Sequence, residues 1–448
     1  MIFEDNQIEI INNAKSYLEK TKKAGIDTSL SSFCYFNSWS ETPGYAKLKF
    51  KSSGWYFAIS YFKILFKTIL SIAANSNFIQ IKNRVDIKHY KTIILSWSYK
   101  ENFQSDGSFQ DRYFNENSKN IENSYWILVS MDGYVPPNLN DNIKIIKKKE
   151  GIFKYNFYFL IKLIISIIIK YKFSLKKIYH YLFFPSYFAN IINKIVIQDI
   201  KNSRAKLIIL PYEAQTFQNK IFFEIQKLSK EIKKVGYLHS LSPLTSELIY
   251  RSGAPDLLLV HSEDQIKMLK SNLNWPEKNL ILTDSFRFQR NDKSLSRKIF
   301  VPMVIDDDDL FLKEFKKLLI NSPKNSFPIL SIKNHPTSLK SKRHIRFMKK
   351  LEKVINIFKD RFSENSPNQN LSIFFGMTAS ILESLEKKTN VIHICSDPSF
   401  QSYNSKIWSN IIVKKLDKFV FNYNLLTLGK TIRLGEKNTF NHFLKTML

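Results

Sequence analysis

Glycine is scarce, 11 residues in 448. That leaves no glycine-rich loop to wrap backbone amides around phosphates, so any grip on a phosphate must come from side chains and helix starts. Cysteine is scarcer still: Cys34 and Cys395 stand far apart, with no CxxC pair. A disulfide scaffold and a cysteine-rich zinc site are excluded, and a reducing compartment is expected. Uninterrupted apolar runs are short. Gly54–Ala73 is broken by Lys63 and Lys67, and Phe157–Ile169 by Lys162, whereas a membrane span needs about twenty apolar residues. The first residues, MIFEDNQIEIINNAKSYLEK, are acidic and helix-like. They lack the basic start and apolar run of a secretion signal, so a cytoplasmic location is expected.

Acids are few as well, 39 against 68 Lys+Arg, for a formal charge of +29. Such a surface concentrates anionic partners: phosphorylated donors, acidic lipid or nucleic acid. The chain is also rich in Lys, Asn, Ile and Phe, a bias that an AT-rich genome produces by itself. The two lysine-interrupted apolar stretches fit either buried helices or helices lying on the inner membrane face with their lysines at anionic head groups.

The length suits two α/β domains better than one. Short apolar runs bounded by turn signals recur in both halves. They are Thr92–Trp97, Trp126–Ser130, Leu207–Pro211, Val235–His239 and Leu257–His261, then Phe300–Ile305, Ile329–Lys333, Leu371–Phe375, Val391–Cys395 and Asn410–Val413. Continuous rather than alternating apolar character predicts strands buried on both faces of a parallel sheet. Segments of helical spacing, such as Gln218–Lys233 and Ser338–Phe358, separate them. The expected fold is α/β, with two Rossmann-like doubly wound domains. The first spans 1–290 with a helical insertion at about 150–200, and the second spans 298–448. The polar, aperiodic Arg287–Lys298 reads as the linker.

In open α/β sheets ligands bind beyond the carboxyl ends of the strands, so residues directly after an apolar run are the informative ones. After ILSIK comes Asn334-His335-Pro336. Pro336 stops the strand and leaves His335 at the rim, with Lys333 just before it. Both can donate to phosphate oxygens. After LSIFF comes Gly376-Met377-Thr378-Ala379-Ser380 and a helix. Gly376 permits a tight turn, Thr378 or Ser380 can cap the helix, and Glu383 stands at capping-box distance from Ser380. The two rim loops come from segments that could be neighbouring strands, and together they could clamp a phosphate ester or diphosphate.

The order strand–K-x-H-P, then about forty residues on a strand followed by G-x-T-x-S and a helix bearing E-S, resembles the His-Pro and Ser-rich motifs of bacterial sialyltransferases. It is similar also to capsule-type Kdo transferases and other surface-carbohydrate enzymes of the GT-B fold. The resemblance implies that His335 contacts the donor phosphate. It further implies that Thr378 and Ser380 bind phosphate or nucleotide, that Glu383 lies near the ribose, and that the donor is a CMP-activated acidic sugar. The loop here, MTAS, departs from the family's paired serines.

In the first half, Glu213 comes just after LIILP, His239 ends VGYLH with Ser240 following it, and Asp132 follows WILVSM. An inverting transfer needs a carboxylate to take the acceptor proton. Glu213 is the first candidate and Asp132 the reserve. His239 and Ser240 are candidates for binding acceptor or donor, His261 is a weaker one, and Glu263 is a further carboxylate on the same sheet. Asp306–Asp309 precedes a helix, and helix-start acids are the expected role. No metal is expected, nor any cofactor beyond the nucleotide-sugar donor. The partners expected are that donor, a surface-glycan or lipid-linked acceptor and the inner membrane face, with no nucleic acid. Two alternatives stand: a CDP-alcohol-dependent polyol-phosphate transferase of the teichoic-acid kind, or a basic protein binding nucleic acid or membrane surface.

Overall fold

The computed structural model describes residues 2–31, 78–82, 87–148, 165, 169, 184–240, 242–243, 245–290, 295–305, 307–335, 341–436 and 439–447. Pro336, Cys34, Asp306 and the stretch Gly54–Ala73 lie outside them, as does Phe157–Ile169 apart from Ile165 and Ile169. Among the described residues no helix is long and apolar enough to cross a membrane.

The first half builds one eight-stranded sheet. Its strands are β1 (Phe78–Lys82), β2 (Thr92–Ser98), β3 (Ser124–Ser130), β4 (Ile143–Lys148), β5 (Leu207–Pro211), β6 (Lys233–Tyr237), β7 (Leu257–Val260) and β8 (Leu280–Leu282). They lie in the order β1-β4-β3-β2-β5-β6-β7-β8, all parallel except the edge strand β1, which runs antiparallel to β4. Its helices are α2 (Phe184–Lys201), α3 (Thr216–Leu228) and α4 (Glu263–Leu273), and α1 (Ile2–Lys23) precedes the sheet. Of the expected insertion, α2 is the described part.

The second half builds a six-stranded sheet from β9 (Lys298–Val301), β11 (Ser331–Asn334), β13 (Leu371–Phe375), β14 (Asn390–Ile394), β15 (Ile411–Asp417) and β16 (Val420–Leu425). A short pair, β10 (Phe327–Pro328) and β12 (Phe362–Ser363), stands beside it. The helices are α5 (Asp308–Ile320), α6 (Lys342–Ile357), α7 (Ser380–Glu386), α8 (Pro398–Gln401) and α9 (Thr439–Met447). The order is β11-β9-β13-β14-β16-β15. The first four strands are parallel, while β16 and β15 are antiparallel. The two-domain Rossmann-like α/β class expected from the sequence is therefore the one found.

The reason is visible in the packing. Along β2, Ile93 and Leu95 face one apolar cluster and Ile94 the other, and β5 divides Ile208 and Leu210 from Leu207 and Ile209 in the same way. Both faces are buried, so every position selects an apolar side chain. In the second sheet Ile299, Ile373 and Phe375 face α5 and α6, while Phe300 and Phe374 stack at 4.3 Å on the other face. Two expectations fail here. Ile329–Lys333 reads as a buried strand, yet β11 is an edge strand with alternate residues exposed, and Ile329 precedes it. And β9 lies between β11 and β13, so the His335 and Gly376 loops are not neighbours. They are separated by two inter-strand spacings, about 10 Å.

The chain ends cross between the halves. On α1, Gln7 donates to Ser402 O at 2.7 Å and Phe3 packs on Phe421 at 5.3 Å, both in the second half. At the other end, Phe440 of α9 stacks on Phe114 of the first half at 4.2 Å. The segment between carries Gly435, whose missing Cβ would stand 2.0 Å from Ser285 O. Glu386 fastens that segment by accepting from the amides of Gly429, Thr431 and Ile432 at 2.6, 3.0 and 2.9 Å. The expected linker is not free chain at its start. Phe288 is buried, and Gln289 pairs with Gly435.

Candidate functional site

Beyond β5 the chain makes a tightly specified turn. Tyr212 donates from its hydroxyl to Asn219 Oδ1 at 2.6 Å, and Gln218 Nε2 donates to Pro211 O at 2.7 Å. Gln218 Oε1 accepts from the amides of Glu213 and Gln215 at 2.9 and 3.0 Å. Ala214 takes a left-handed φ of 56°, and its carbonyl accepts from Asn219 at 2.9 Å and from Arg251 at 2.6 Å. A non-glycine residue there costs about 1–2 kcal/mol and persists only where its surroundings over-determine it. The turn holds Glu213 at the sheet's carboxyl edge. Its carboxylate meets His239 Nε2 at 3.2 Å and Gln215 Nε2 at 2.7 Å. Burial by itself would raise its pKa. The His239 imidazole, the Gln215 amide and the nearby Arg287 outweigh burial and hold it at about 2.

His239 follows β6 and is buried, its ring edge-on to Tyr113 at 4.4 Å. Tyr113 is placed by Asp111, a buried carboxylate that accepts from Ser96 Oγ and from the amides of Tyr113 and Phe114 at 2.7 Å each. Burial raises Asp111 to about 6. The same loop displays Arg112, paired with Glu101 at 2.8 Å. Arg287 lies over Tyr113 at 5.9 Å and donates to His239 O at 3.4 Å. Ser240 is half-buried beside His239.

The other first-half candidates have structural partners. Asp132 is exposed and closes its own turn, accepting from Lys100 N at 2.8 Å and Tyr134 N at 3.1 Å. His261 is buried against Leu238 O at 3.0 Å, and burial drops its pKa to about 3. Glu263 pairs with Arg433 at 2.9 Å.

In the second half His335 follows edge strand β11, its amide bonded to Val301 O at 3.2 Å. It is half-buried, with Lys333 exposed and its ammonium 5.3 Å over the Phe300 ring. Burial first, then Arg287, Arg112 and His344, lowers the His335 pKa to about 4, so the ring is neutral at pH 7. Two of those cations belong to the first half, which places His335 in the electrostatic field of the opposite wall.

Gly376 turns the chain after β13 with φ 57°, and a Cβ there would stand 3.1 Å from Pro302 and 3.3 Å from Phe311. Its carbonyl is held by His393 Nε2 at 2.6 Å, and His393 Nδ1 meets Tyr423 Oη at 3.0 Å. The donor to the carbonyl is Nε2–H, so Nδ1 accepts from the tyrosine. Burial keeps this histidine's pKa near 4. Thr378 Oγ1 accepts from Ser380 N at 3.3 Å, and Thr378 O meets the Tyr403 hydroxyl at 3.5 Å. The expected capping box does not form. Ala379 occupies the cap position of α7, and Glu383 pairs instead with Lys387 at 2.8 Å. Met377 completes the approach of the halves, its sulfur 3.6 Å from Ser242 Oγ in the loop after β6.

The structure thus brings Glu213, His239 and Ser240 to one wall, and His335, Gly376, Thr378 and Ser380 to the other. It leaves Asp132 in a turn of its own. Arg287, Arg112, Tyr113 and His393 went unnoticed in the sequence. Arg287 sits in an aperiodic polar stretch, and no pattern marks His393 as the support of a glycine 17 residues earlier. Asp307 caps α5 through Leu310 N at 2.9 Å, and Asp308 and Asp309 pair with Lys350. Among the described residues no group of His, Cys, Asp and Glu could hold a metal ion.

No family model matches the chain. No curated protein matches it. Among solved structures it is similar to a glycosyltransferase from Rickettsia africae ESF-5, at 13% identity over 68% of this chain and 79% of that one, with a TM-score of 0.32. It is similar also to Os79 from O. sativa in complex with UDP, at 12% identity over 64% of this chain and 76% of that one, with a TM-score of 0.29. Likenesses at this level assign neither a donor nor any residue's role.

Proposed function

We propose that the protein is a metal-independent, inverting glycosyltransferase of the GT-B type. It moves an acidic sugar, of the nonulosonic or Kdo kind, from a CMP-linked donor to a surface-glycan or lipid-linked acceptor at the inner membrane face. The observation that carries this reading is the meeting of two carboxyl edges. The loops after β6 and β13 touch at Ser242 and Met377, and the field of Arg287 reaches both Glu213 and His335.

In this reading Gly376, Thr378, Ser380 and His335 hold the donor phosphate, with Lys333 and Pro336 beside His335 in the sequence and Glu383 one turn into α7. Neutral His335 donates a hydrogen bond without adding fixed charge, and that bond strengthens as the leaving phosphate develops charge. Glu213 takes the acceptor proton. With its pKa at about 2 it is a weak base while paired to His239. An acceptor hydroxyl that comes between the two removes the pairing and raises the carboxylate's basicity at the moment it is needed. The surrounding walls supply positioning.

The test is a thermal-shift panel with CMP, CDP, UDP, UMP, GDP and ADP, since a ligand of the native state raises Tm by mass action. CMP should stabilise selectively, and His335→Ala should weaken that stabilisation roughly tenfold in affinity while leaving the unliganded Tm unchanged. Selective stabilisation by CDP would favour polyol-phosphate transfer, and by UDP or GDP would discard the CMP donor. No shift with any nucleotide, together with salt-sensitive DNA binding, would overturn the enzyme reading.

A further inference from the structure

Arg287 is the odd arginine of the molecule. Among the described residues, the other buried or half-buried arginines each have an acid at hand: Arg251 has Glu247 at 2.9 Å, Arg361 has Asp360 at 3.7 Å and Arg433 has Glu263 at 2.9 Å. Arg287 is half-buried and forms no such pair among the described residues. Glu213, an acid whose charge it influences, has its two oxygens engaged by His239 and Gln215. The guanidinium is set in place by the Tyr113 and Phe288 rings at 5.9 and 5.2 Å and by one long hydrogen bond to His239 O at 3.4 Å. A guanidinium has five N–H donors, so most of its fork remains for a ligand. Holding a partly desolvated cation without its counter-charge is unfavourable, and the arrangement is stable chemistry only when an anion arrives with the ligand.

The position of Arg287 narrows which anion. It stands beside Glu213, the group that meets the acceptor hydroxyl in this reading: Arg287 donates to His239 O at 3.4 Å, and the His239 ring meets the Glu213 carboxylate at 3.2 Å. A ligand group within reach of both Arg287 and Glu213 lies at the reacting carbon. An aldose carries only hydrogen and ring atoms there, whereas a sugar derived from a 2-keto acid carries a carboxylate on its anomeric carbon. We propose that Arg287 receives that anomeric carboxylate and selects 2-ulosonic donors over aldose donors. The planar fork matches a carboxylate in bidentate fashion, which a lysine cannot reproduce. This rests on the glycosyltransferase reading and adds to it the feature by which the donor sugar, rather than the nucleotide, is chosen.

The experiment is calorimetric titration of wild type, Arg287→Gln and Arg287→Lys with CMP and with CMP-N-acetylneuraminate. Wild type should bind the acidic nucleotide sugar more tightly than CMP. Arg287→Gln should lose roughly ten- to hundredfold in affinity for the nucleotide sugar and keep its affinity for CMP. Arg287→Lys should fall between, and it decides the matter if the glutamine variant does not fold. An equal loss for both ligands would put Arg287 on the phosphate and overturn the proposal, as would no loss for either. Wild type that binds neither ligand removes the CMP-donor reading itself, a result visible before any variant is made.

Discussion

Replacing Glu213 by glutamine tests the site at its centre. The change is isosteric, and it removes the charge that faces His239 at 3.2 Å. A hydrogen bond to a charged group contributes about 1.5–3 kcal/mol, and the lower end applies because the Glu213 side chain is 34% exposed and partly screened by water. Glu213→Gln should therefore lose about 1.5 kcal/mol at pH 7. The sign of the pH dependence follows from the depressed pKa, about 2 in the folded protein against an ordinary 4.5. Above about pH 5 the carboxylate is ionised both folded and unfolded, and its contribution is full. As pH falls the unfolded chain takes up the proton first, so the gap between wild type and variant should narrow progressively as pH drops below the ordinary 4.5. Urea unfolding at pH 7, 5, 4 and 3.5 measures this directly. Turnover of a CMP-sugar should fall roughly 100- to 10,000-fold in the variant, with CMP binding unchanged. A gap that stays constant down to pH 3.5 would refute the argument from the Glu213 charge. A folded variant with undiminished turnover would refute Glu213 as the base.

Gly376→Ala forces a Cβ into a left-handed turn, 3.1 Å from Pro302. It should destabilise by about 1–2 kcal/mol and weaken CMP binding more than any change on the far side of the sheet, both readable by thermal shift. Lys144 and Asp199 form a buried ion pair between β4 and α2. Lys144→Met should cost about 3–5 kcal/mol, and adding Asp199→Leu should restore most of it; urea midpoints that show the double variant no better than the single one would contradict this. Burial holds His261, His335 and His393 at about 3, 4 and 4, below the ordinary 6.5. The unfolded chain accepts protons that the folded one refuses, so stability should decline as pH drops from about 6.5 towards 4. A flat urea midpoint over that range would show that these rings titrate normally.

Much of the fold was legible because parallel strands buried on both faces leave an uninterrupted apolar signature. β2, β5 and β13 were placed by it almost to the residue. The signature failed where burial differs. β4 reads IKIIKK, and its first lysine, Lys144, is buried only because Asp199 meets it. β11 is apolar before its strand begins and exposed within it, so the run misplaced its start. Asn410–Val413 was expected in a parallel pattern and lies in an antiparallel edge hairpin with β16. Local pattern reports burial, while pairing direction is settled by partners distant in the chain.

By itself the sequence determined the class of fold and the rim positions, because strand ends, proline stops and glycine turns are local properties. Glu213, His239, His335 and Gly376 were recognisable on that ground alone. Only tertiary structure decided which rim loops are neighbours, since strand order inserts β9 between the His335 and Gly376 loops. It also decided that α1 and α9 cross to the opposite half, and that Arg287, in a nominal linker, lies over Tyr113 and donates to His239 O. The contacts that join Glu213, His239 and Arg287 arise from residues far apart in the chain. Such contacts depend on distances in space, which a linear pattern does not encode.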